Sequence, residues 1–249
     1  MAKQNKPLRS FWGEIMKNNY DSLFFDLDGT LINSVSDITY ALNKMRAYFE
    51  LKPICDQTTA SIIGKGFPTT TQKVLALDLP DDKVKLYAKD ALKLTLNNYE
   101  RFMGQNTHVY PGVIDTLKYF RQKNILMAIV TNKEETHANK ILKHLNLAQY
   151  FKCVVGGDTT EFYKPSPTPL AYALNKIGAD LNQSLMVGDS VNDAICAEAL
   201  SMPYILINQG YSNGIDLQSL NAIAVIQKFN ELKNLISQAE IKKATQGSP

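Results

Sequence analysis

Hydrophobic and polar positions along the chain follow two spacings, which predict a repeated order of strands and helices. Short apolar runs bounded by polar or turn residues indicate buried strands. Such runs occupy residues 22–25, 125–130, 153–155, 185–187 and 204–207, with a further candidate at 222–226. Between these runs, apolar residues recur three and four positions apart, which is typical of amphipathic helices. Alternating strands and helices favour a parallel sheet with helices on both faces.

The segment after the first apolar run breaks this alternation. Residues 35–49 carry apolar positions at helical spacing, and Ser34 and Asp37 are suited to cap that helix and to supply an acid in its first turn. Prolines and glycines interrupt residues 53–79, and a second helical pattern covers residues 84–99. The simplest interpretation is an α/β chain with a helical insert after its first strand.

These patterns define the predicted organisation of the chain. The predicted fold class is α/β, with a Rossmann-like parallel-sheet core and an inserted α-helical cap domain. The core comprises residues 21–32 and 108–249, the cap residues 33–107, and residues 1–20 form an N-terminal extension.

Composition narrows the class of function. The chain has 249 residues, of which 45% are hydrophobic and 20% charged, as in ordinary globular proteins. The net charge of +3 is spread along the chain, which argues against a nucleic-acid partner. No apolar run approaches the roughly 20 residues that span a membrane. Three distant cysteines favour neither disulfides nor a zinc cluster, so we expect a cytoplasmic protein. We expect this protein to be a monomer or a homodimer.

The first strand is followed by the motif DLDGT at residues 26–30. In extended chain, residues two apart point the same way, so Asp26 and Asp28 can share one small space. Two close carboxylates require a cation or a shared proton. Gly29 allows a tight turn directly after them. Alone, the motif is equally well explained as an acidic turn that caps the next element.

Three later strands are also followed by polar residues. Thr131 and Asn132 follow the second core strand, Lys164 follows the third and directly precedes Pro165-Ser166-Pro167, and Asp189 and Asp193 follow the fourth. Singly, these residues are more often a helix cap or a surface lysine than a site. Because ligands bind at the carboxyl ends of strands in open parallel sheets, their joint occurrence predicts one site.

A charge count indicates which ligands this site would take. Four aspartates and a phosphate dianion would bring negative charges that Lys164 alone does not balance. Oxygen ligands suit a hard cation such as Mg²⁺, which binds through one or two carboxylates together with phosphate. The predicted cofactor is therefore Mg²⁺, and the predicted partner is a small phosphate ester.

Together these motifs resemble the haloacid dehalogenase superfamily of phosphohydrolases, in the branch whose helical cap is inserted after the first strand. The resemblance covers residues 21–230. It is carried by DLDGTLINS from residue 26, VTNK from 130, GGD from 156, KPSP from 164 and GDSVND from 188. Within the superfamily these motifs are most similar to phosphoglycolate phosphatases.

The resemblance implies a role for each residue. Asp26 would be the nucleophile that forms an aspartyl-phosphate, and Asp28 the general acid and base. Phosphate would be bound by Gly29, Thr131, Asn132 and Lys164, of which Lys164 would also stabilise charge. Mg²⁺ would be held by Asp26, by the backbone carbonyl of Asp28 and by Asp189, with Asp193 acting through a water molecule.

Substrate choice is expected to depend on the cap. Lys65, between two glycines, is a candidate contact for the carboxylate of 2-phosphoglycolate, although an exposed lysine in a loop is an equally good interpretation. Alternative substrates are a sugar phosphate, a nucleotide or pyrophosphate, and a phosphomutase would share the same core. A non-catalytic binding protein on this fold is a remote alternative, because none of the expected chemical groups is missing.

Overall fold

The computed structural model describes residues 20–211 and 214–236. In this part of the chain the main sheet has six strands in the order β5–β4–β1–β6–β7–β8, and every neighbouring pair is parallel. The strands are β1 (Ser22–Phe25), β4 (Leu126–Val130), β5 (Cys153–Val155), β6 (Ser184–Gly188), β7 (Tyr204–Ile207) and β8 (Ala224–Ile226). The N-terminal extension predicted at residues 1–20 lies, except for Tyr20, outside the described residues.

Helices cover both faces of the sheet. They are α5 (Val113–Gln122), α6 (Glu135–His144), α7 (Thr168–Ile177) and α8 (Val191–Glu198), with short 3₁₀ turns at Ala148–Tyr150, Leu181–Gln183 and Leu217–Ser219. Side chains alternate along β1: Leu23 and Phe25 pack with α5 and α6, whereas Phe24 packs with α7 and α8. The sheet is thus buried on both sides, which accounts for its short, continuously apolar strands.

A separate helical layer follows β1 in sequence. It consists of α1 (Val35–Tyr48), α2 (Asp56–Ala60), α3 (Gly66–Leu75) and α4 (Asp81–Phe102) and has its own apolar cluster. Two short antiparallel strands, β2 (Ile32–Asn33) and β3 (His108–Val109), connect this layer to the sheet. The cap boundaries drawn from sequence, after residue 32 and before residue 108, stay a prediction.

One local expectation is wrong, and another holds for the position of the residue but not for its hydrogen bond. Residues 53–79 are not simply interrupted, because they form α2 and α3; Pro68 lies in the first turn of α3, where no intrahelical N–H bond is lost. Ser34 precedes α1, but its side chain makes no capping hydrogen bond. The Asn33 side chain instead accepts from the N–H of Val35.

Within the described residues, no helix is long and apolar enough to cross a membrane.

Candidate active site

Three aspartates meet at the carboxyl ends of β1 and β6. Asp26 follows β1, Asp189 follows β6, and Asp193 lies on the first turn of α8. Each offers a carboxylate oxygen, and these oxygens lie within 4.8 Å of one another. Since β1 and β6 are hydrogen-bonded neighbours, the parallel register itself brings these acids together.

Lys164 is the buried cation of this cluster. Its ammonium lies 3.0 Å from Asp26 Oδ1 and 2.7 Å from Asp193 Oδ1, and only 1% of its side chain is exposed. The other oxygen of Asp193 accepts from the N–H and hydroxyl of Ser190, which closes the capping box of α8. Asp193 therefore fixes both Lys164 and the start of the helix.

Neutral donors also bind Asp189 and Asp26. Thr30 donates its hydroxyl to Asp189 Oδ1 at 2.9 Å, and the N–H of Tyr211 donates to Oδ2 at 2.6 Å. The N–H of Leu27 donates to Asp26 Oδ1 at 2.7 Å. In the described chain, Asp26 Oδ2 receives no hydrogen bond. It is the oxygen of Asp26 that is free to react.

The close packing of these acids changes their pKa values. Burial raises the pKa of Asp26 to about 6; the charge of Lys164 opposes this rise, and that of Asp193 adds to it. Burial, followed by the charges of Asp26 and Asp193, raises the pKa of Asp189 well above its ordinary value. Both shifts show that ionised carboxylates are under-compensated here.

A divalent cation would supply the positive charge that this cluster of carboxylates lacks. The candidate ligands are all oxygen atoms, as Mg²⁺ prefers. The backbone carbonyl of Asp28, the further ligand expected from sequence, accepts no hydrogen bond from the described residues. An ion among Asp26, Asp28 and Asp189 would relieve the mutual repulsion that raises the pKa values, so the residues present suit the expected metal.

Asp28 lies at the boundary between the sheet and the helical layer. The hydroxyl of Ser34 donates a very short hydrogen bond to Asp28 Oδ1, and the ammonium of Lys133 lies 2.8 Å from Oδ2. Burial lowers the pKa of Lys133, but the charges and hydrogen bonds of Asp28 and Tyr99 together outweigh it, so the net shift is upward and the lysine is charged.

Thr131 and Asn132 lie at the end of β4, as expected. Thr131 is buried, and its hydroxyl accepts a 3.3 Å hydrogen bond from the N–H of Lys133. The Asn132 amide donates to the carbonyls of Gly64, at 2.9 Å, and Lys164, at 2.8 Å. This amide therefore ties the layers together, while its backbone N–H has no acceptor among the described residues and is free for an anion.

A cavity of about 60 Å³ opens above Asp26 and Asp28, between the sheet and the helical layer. Its described walls comprise, from the sheet side, Asp26, Asp28, Thr131, Asn132, Lys133, Glu134 and Tyr211, and from the helical layer Ile38, Ile63, Gly64, Gly66, Phe67 and Thr70. Asp26 and Asp28 thus face one partly open cavity whose other wall is largely apolar.

The family model of haloacid dehalogenase-like hydrolases matches residues 23–207. The chain belongs to this family. The match contains all of β1 except Ser22, the whole of β6, the aspartates at the ends of both strands, and Lys164. The family and the enzyme class predicted from the motifs, a hydrolase similar to phosphoglycolate phosphatases, are confirmed.

Curated relatives support the same family. Phosphoglycolate phosphatase 1 of Pseudomonas aeruginosa is 33% identical over 218 residues, covering 87% of this chain and 80% of the relative. The phosphoglycolate phosphatase of Rhodospirillum rubrum is 35% identical over 214 residues, covering 85% and 88%. A crystal structure of a predicted phosphoglycolate phosphatase from Haemophilus somnus superposes with a TM-score of 0.77 at 26% identity, covering 87% and 98%. The predicted α/β fold is confirmed.

Two further residues assigned to substrate from the sequence of this haloacid dehalogenase-like hydrolase, Gly29 and Lys65, have different surroundings, and their assignment stays a prediction. Gly29 has φ +89°, and a Cβ there would come within 2.2 Å of Asp189 Oδ2, so glycine is required by packing against Asp189. Lys65 is exposed and is not among the described cavity walls, although Gly64 and Gly66 are. The assignment of Lys65 to substrate therefore gains no support from its position.

Two residues of the site were missed from the sequence. Lys133 is two positions after Thr131, and this spacing could have placed both on one side of an extended chain. Tyr211 follows β7, whose end was not considered. Its N–H binds Asp189, and its hydroxyl donates to Asn33 Oδ1 at 2.8 Å and accepts from the N–H of Ser34 at 3.2 Å. Tyr211 thus connects the carboxylate cluster to the β2 connection.

Proposed function

We propose that this protein is a Mg²⁺-dependent phosphatase that hydrolyses 2-phosphoglycolate to glycolate and phosphate through an aspartyl-phosphate on Asp26. The observation that carries the proposal is the position of Asp26, which has one unbound oxygen, pairs with Lys164 and shares a cavity with Asp28. The names of the P. aeruginosa and R. rubrum relatives support the substrate.

In the first step, Asp26 Oδ2 attacks phosphorus and the bond between phosphorus and the ester oxygen breaks. Asp28 gives its proton to the departing oxygen, releasing the alcohol. Its position two residues after Asp26, on the same cavity wall, suits this role. Covalent catalysis divides one difficult hydrolysis into two easier steps.

In the second step, water attacks phosphorus of the aspartyl-phosphate, and Asp28 accepts the proton of that water. The Asp26 carboxylate is regenerated and phosphate leaves. The Thr131 hydroxyl and the free backbone N–H of Asn132 would bind phosphoryl oxygens, and Lys164 would offset charge. Bound Mg²⁺ would supply a positive charge that lets an anionic ester approach an anionic carboxylate.

Residues 33–107 act in this proposal as the cap that selects the substrate. The cavity of about 60 Å³ favours a short ester, since one water molecule needs roughly 10–15 Å³ measured in this way. The apolar wall formed by Ile38, Ile63 and Phe67 offers few polar partners to the hydroxyl groups of a sugar.

The test is a phosphate-release assay of the purified protein with Mg²⁺. Substrates would be 2-phosphoglycolate, sugar phosphates, nucleoside monophosphates and pyrophosphate at equal concentrations. We expect the highest kcat/KM with 2-phosphoglycolate. A higher value with any other substrate would reject the substrate, and no release with any of them would reject the phosphatase.

A further inference from the structure

A second buried lysine faces the cavity, and the reaction described above does not use it. Lys133 is 6% exposed, and its ammonium lies 2.8 Å from Asp28 Oδ2. On its other side is Tyr99 of α4, whose ring centroid lies 4.9 Å from the same nitrogen. Lys133 therefore lies between the sheet and the cap, in contact with both.

Burying this ammonium is costly, because a lysine loses its hydration when it leaves water. The phosphate chemistry already has a buried cation, since Lys164 pairs with Asp26 and Asp193. An ammonium has three N–H donors, and Asp28 is the one acidic side chain paired with it in the described chain. A second anion could bind to Lys133 without displacing Lys164.

The other charged groups of the cavity make Lys133 distinctive. Asp26, Asp28 and Glu134 are acidic, and Glu134 contacts His137 Nδ1 at 3.4 Å. Among the described wall residues, Lys133 is the one that carries a positive charge. A substrate with a second anionic group has no other cationic wall residue in this part of the chain to meet it.

We propose that Lys133 is the specificity-determining residue that binds the carboxylate of the substrate. The inference rests on the proposed function, because it takes 2-phosphoglycolate as the ester. In that ester a single methylene separates the carboxylate from the leaving oxygen. Asp28 must reach that oxygen, so a cation in contact with Asp28 lies where the carboxylate would be.

The experiment compares two esters that differ only in this group. The substrates are 2-phosphoglycolate and 2-hydroxyethyl phosphate, which replaces the carboxylate by a neutral hydroxymethyl group. The enzymes are wild type, Lys133→Met, which keeps the length of the side chain, and Lys133→Arg, which keeps the charge. Thermal unfolding of each variant would verify that it is folded.

We expect Lys133→Met to lower kcat/KM for 2-phosphoglycolate by about 100-fold, mainly through KM, as for loss of a charged hydrogen bond. We expect the ratio of kcat/KM for 2-phosphoglycolate to kcat/KM for 2-hydroxyethyl phosphate to fall at least about tenfold in Lys133→Met, and Lys133→Arg to retain most of the preference for the carboxylate. Equal losses with both esters, mainly in kcat, would overturn the inference and make Lys133 a residue that positions Asp28.

A binding measurement separates recognition from chemistry. In the background of Asp26→Asn, calorimetry would give the Kd of both esters with and without Lys133→Met. We expect the second substitution to weaken only 2-phosphoglycolate, by about 100-fold. If the wild type prefers 2-phosphoglycolate and Lys133→Met keeps that preference, this inference alone is overturned. If the wild type has no such preference, the proposed substrate is overturned.

Discussion

Buried aspartates occur on both sides of the β2–β3 connection, and they are stabilised differently. In the cap, Asp37 is 1% exposed and accepts hydrogen bonds from the backbone N–H groups of Gly104, Asn106 and Thr107. The side chains of Asn106 and Thr107 also donate to it. In the core, Asp26, Asp189 and Asp193 crowd around Lys164.

The difference separates an acid that holds the fold from acids that are kept reactive. Neutral donors from one loop satisfy Asp37, so its charge fixes the return of the chain from α4 to β3 without any external ion. In the core cluster, repulsion raises the pKa values of Asp26 and Asp189, so the fold leaves charge that a ligand must balance. Removing an acid of the core cluster should therefore lower activity and spare stability, whereas removing Asp37 should lower stability.

The largest effect is expected from Asp26→Asn. Removing the nucleophile should lower kcat at least about 10⁴-fold, equivalent to roughly 5.5 kcal/mol. Unfolding of the metal-free protein should not shift to lower temperature, because a crowded charge is lost and Lys164 keeps Asp193. Phosphate release and thermal unfolding measure the two expectations. The matched control is Asp90→Asn, which replaces an exposed acid on α4. Near-native turnover of Asp26→Asn would refute the assignment of Asp26 as the nucleophile.

Asp37→Ala should show the reverse behaviour. Several buried donors would lose an ionised acceptor, which we expect to lower the free energy of unfolding by about 3 kcal/mol. Asp37→Asn should cost less, because one of its oxygens still accepts. Urea unfolding at constant pH measures both. If the Ala variant unfolds at the wild-type urea concentration, Asp37 is not the anchor of this loop.

Strand ends were the part of the site most accessible from sequence. Asp26, Asp189 and Lys164 each follow a short apolar run, and the geometry of parallel strands requires such ends to meet. Ser34 and Asp37 were interpreted from local helix rules, yet their side chains bind Asp28 and a loop about 70 residues away. The contact of Ser34 spans only six residues, but that of Asp37 is long-range and depends on how the cap packs, which leaves no local periodicity.

The same reason explains the two site residues found only in the structure. Lys133 has a buried ammonium because Asp28 and the cap residue Tyr99 enclose it, and neither is near it in sequence. Tyr211 is placed by Asp189 and by the β2 connection. Motif spacing predicted the acids that carry the charge, whereas tertiary packing determines which neutral and basic groups surround them.

Magnesium binding provides a third test of the contrast between Asp37 and the core carboxylates. Because the folded pKa of Asp26, about 6, exceeds its ordinary value of 3.8, the metal-free fold loses stability as pH rises through this range. A saturating cation should reverse that loss. At 100 times Kd it would add about 2.7 kcal/mol, or roughly 5–10 °C in Tm at pH 7.

Calorimetry with Mg²⁺ and with a chelator measures this shift. Asp189→Asn should abolish it, whereas the control Asp90→Asn should retain it. A full shift in the Asp189 variant would mean that the cation binds outside the carboxylate cluster. Activity should disappear with chelator and return when Mg²⁺ is restored.

The smallest effect is expected at Lys65, and it sharpens the contrast between buried and exposed charge within the cap itself. Lys65 is exposed beside the cavity, so water screens its charge, and removing such a group usually changes binding by well under 1 kcal/mol. Lys65→Ala should therefore leave KM for 2-phosphoglycolate within about twofold of wild type. A tenfold increase in KM would show that the loop of Gly64 and Gly66 turns this lysine inward when substrate binds.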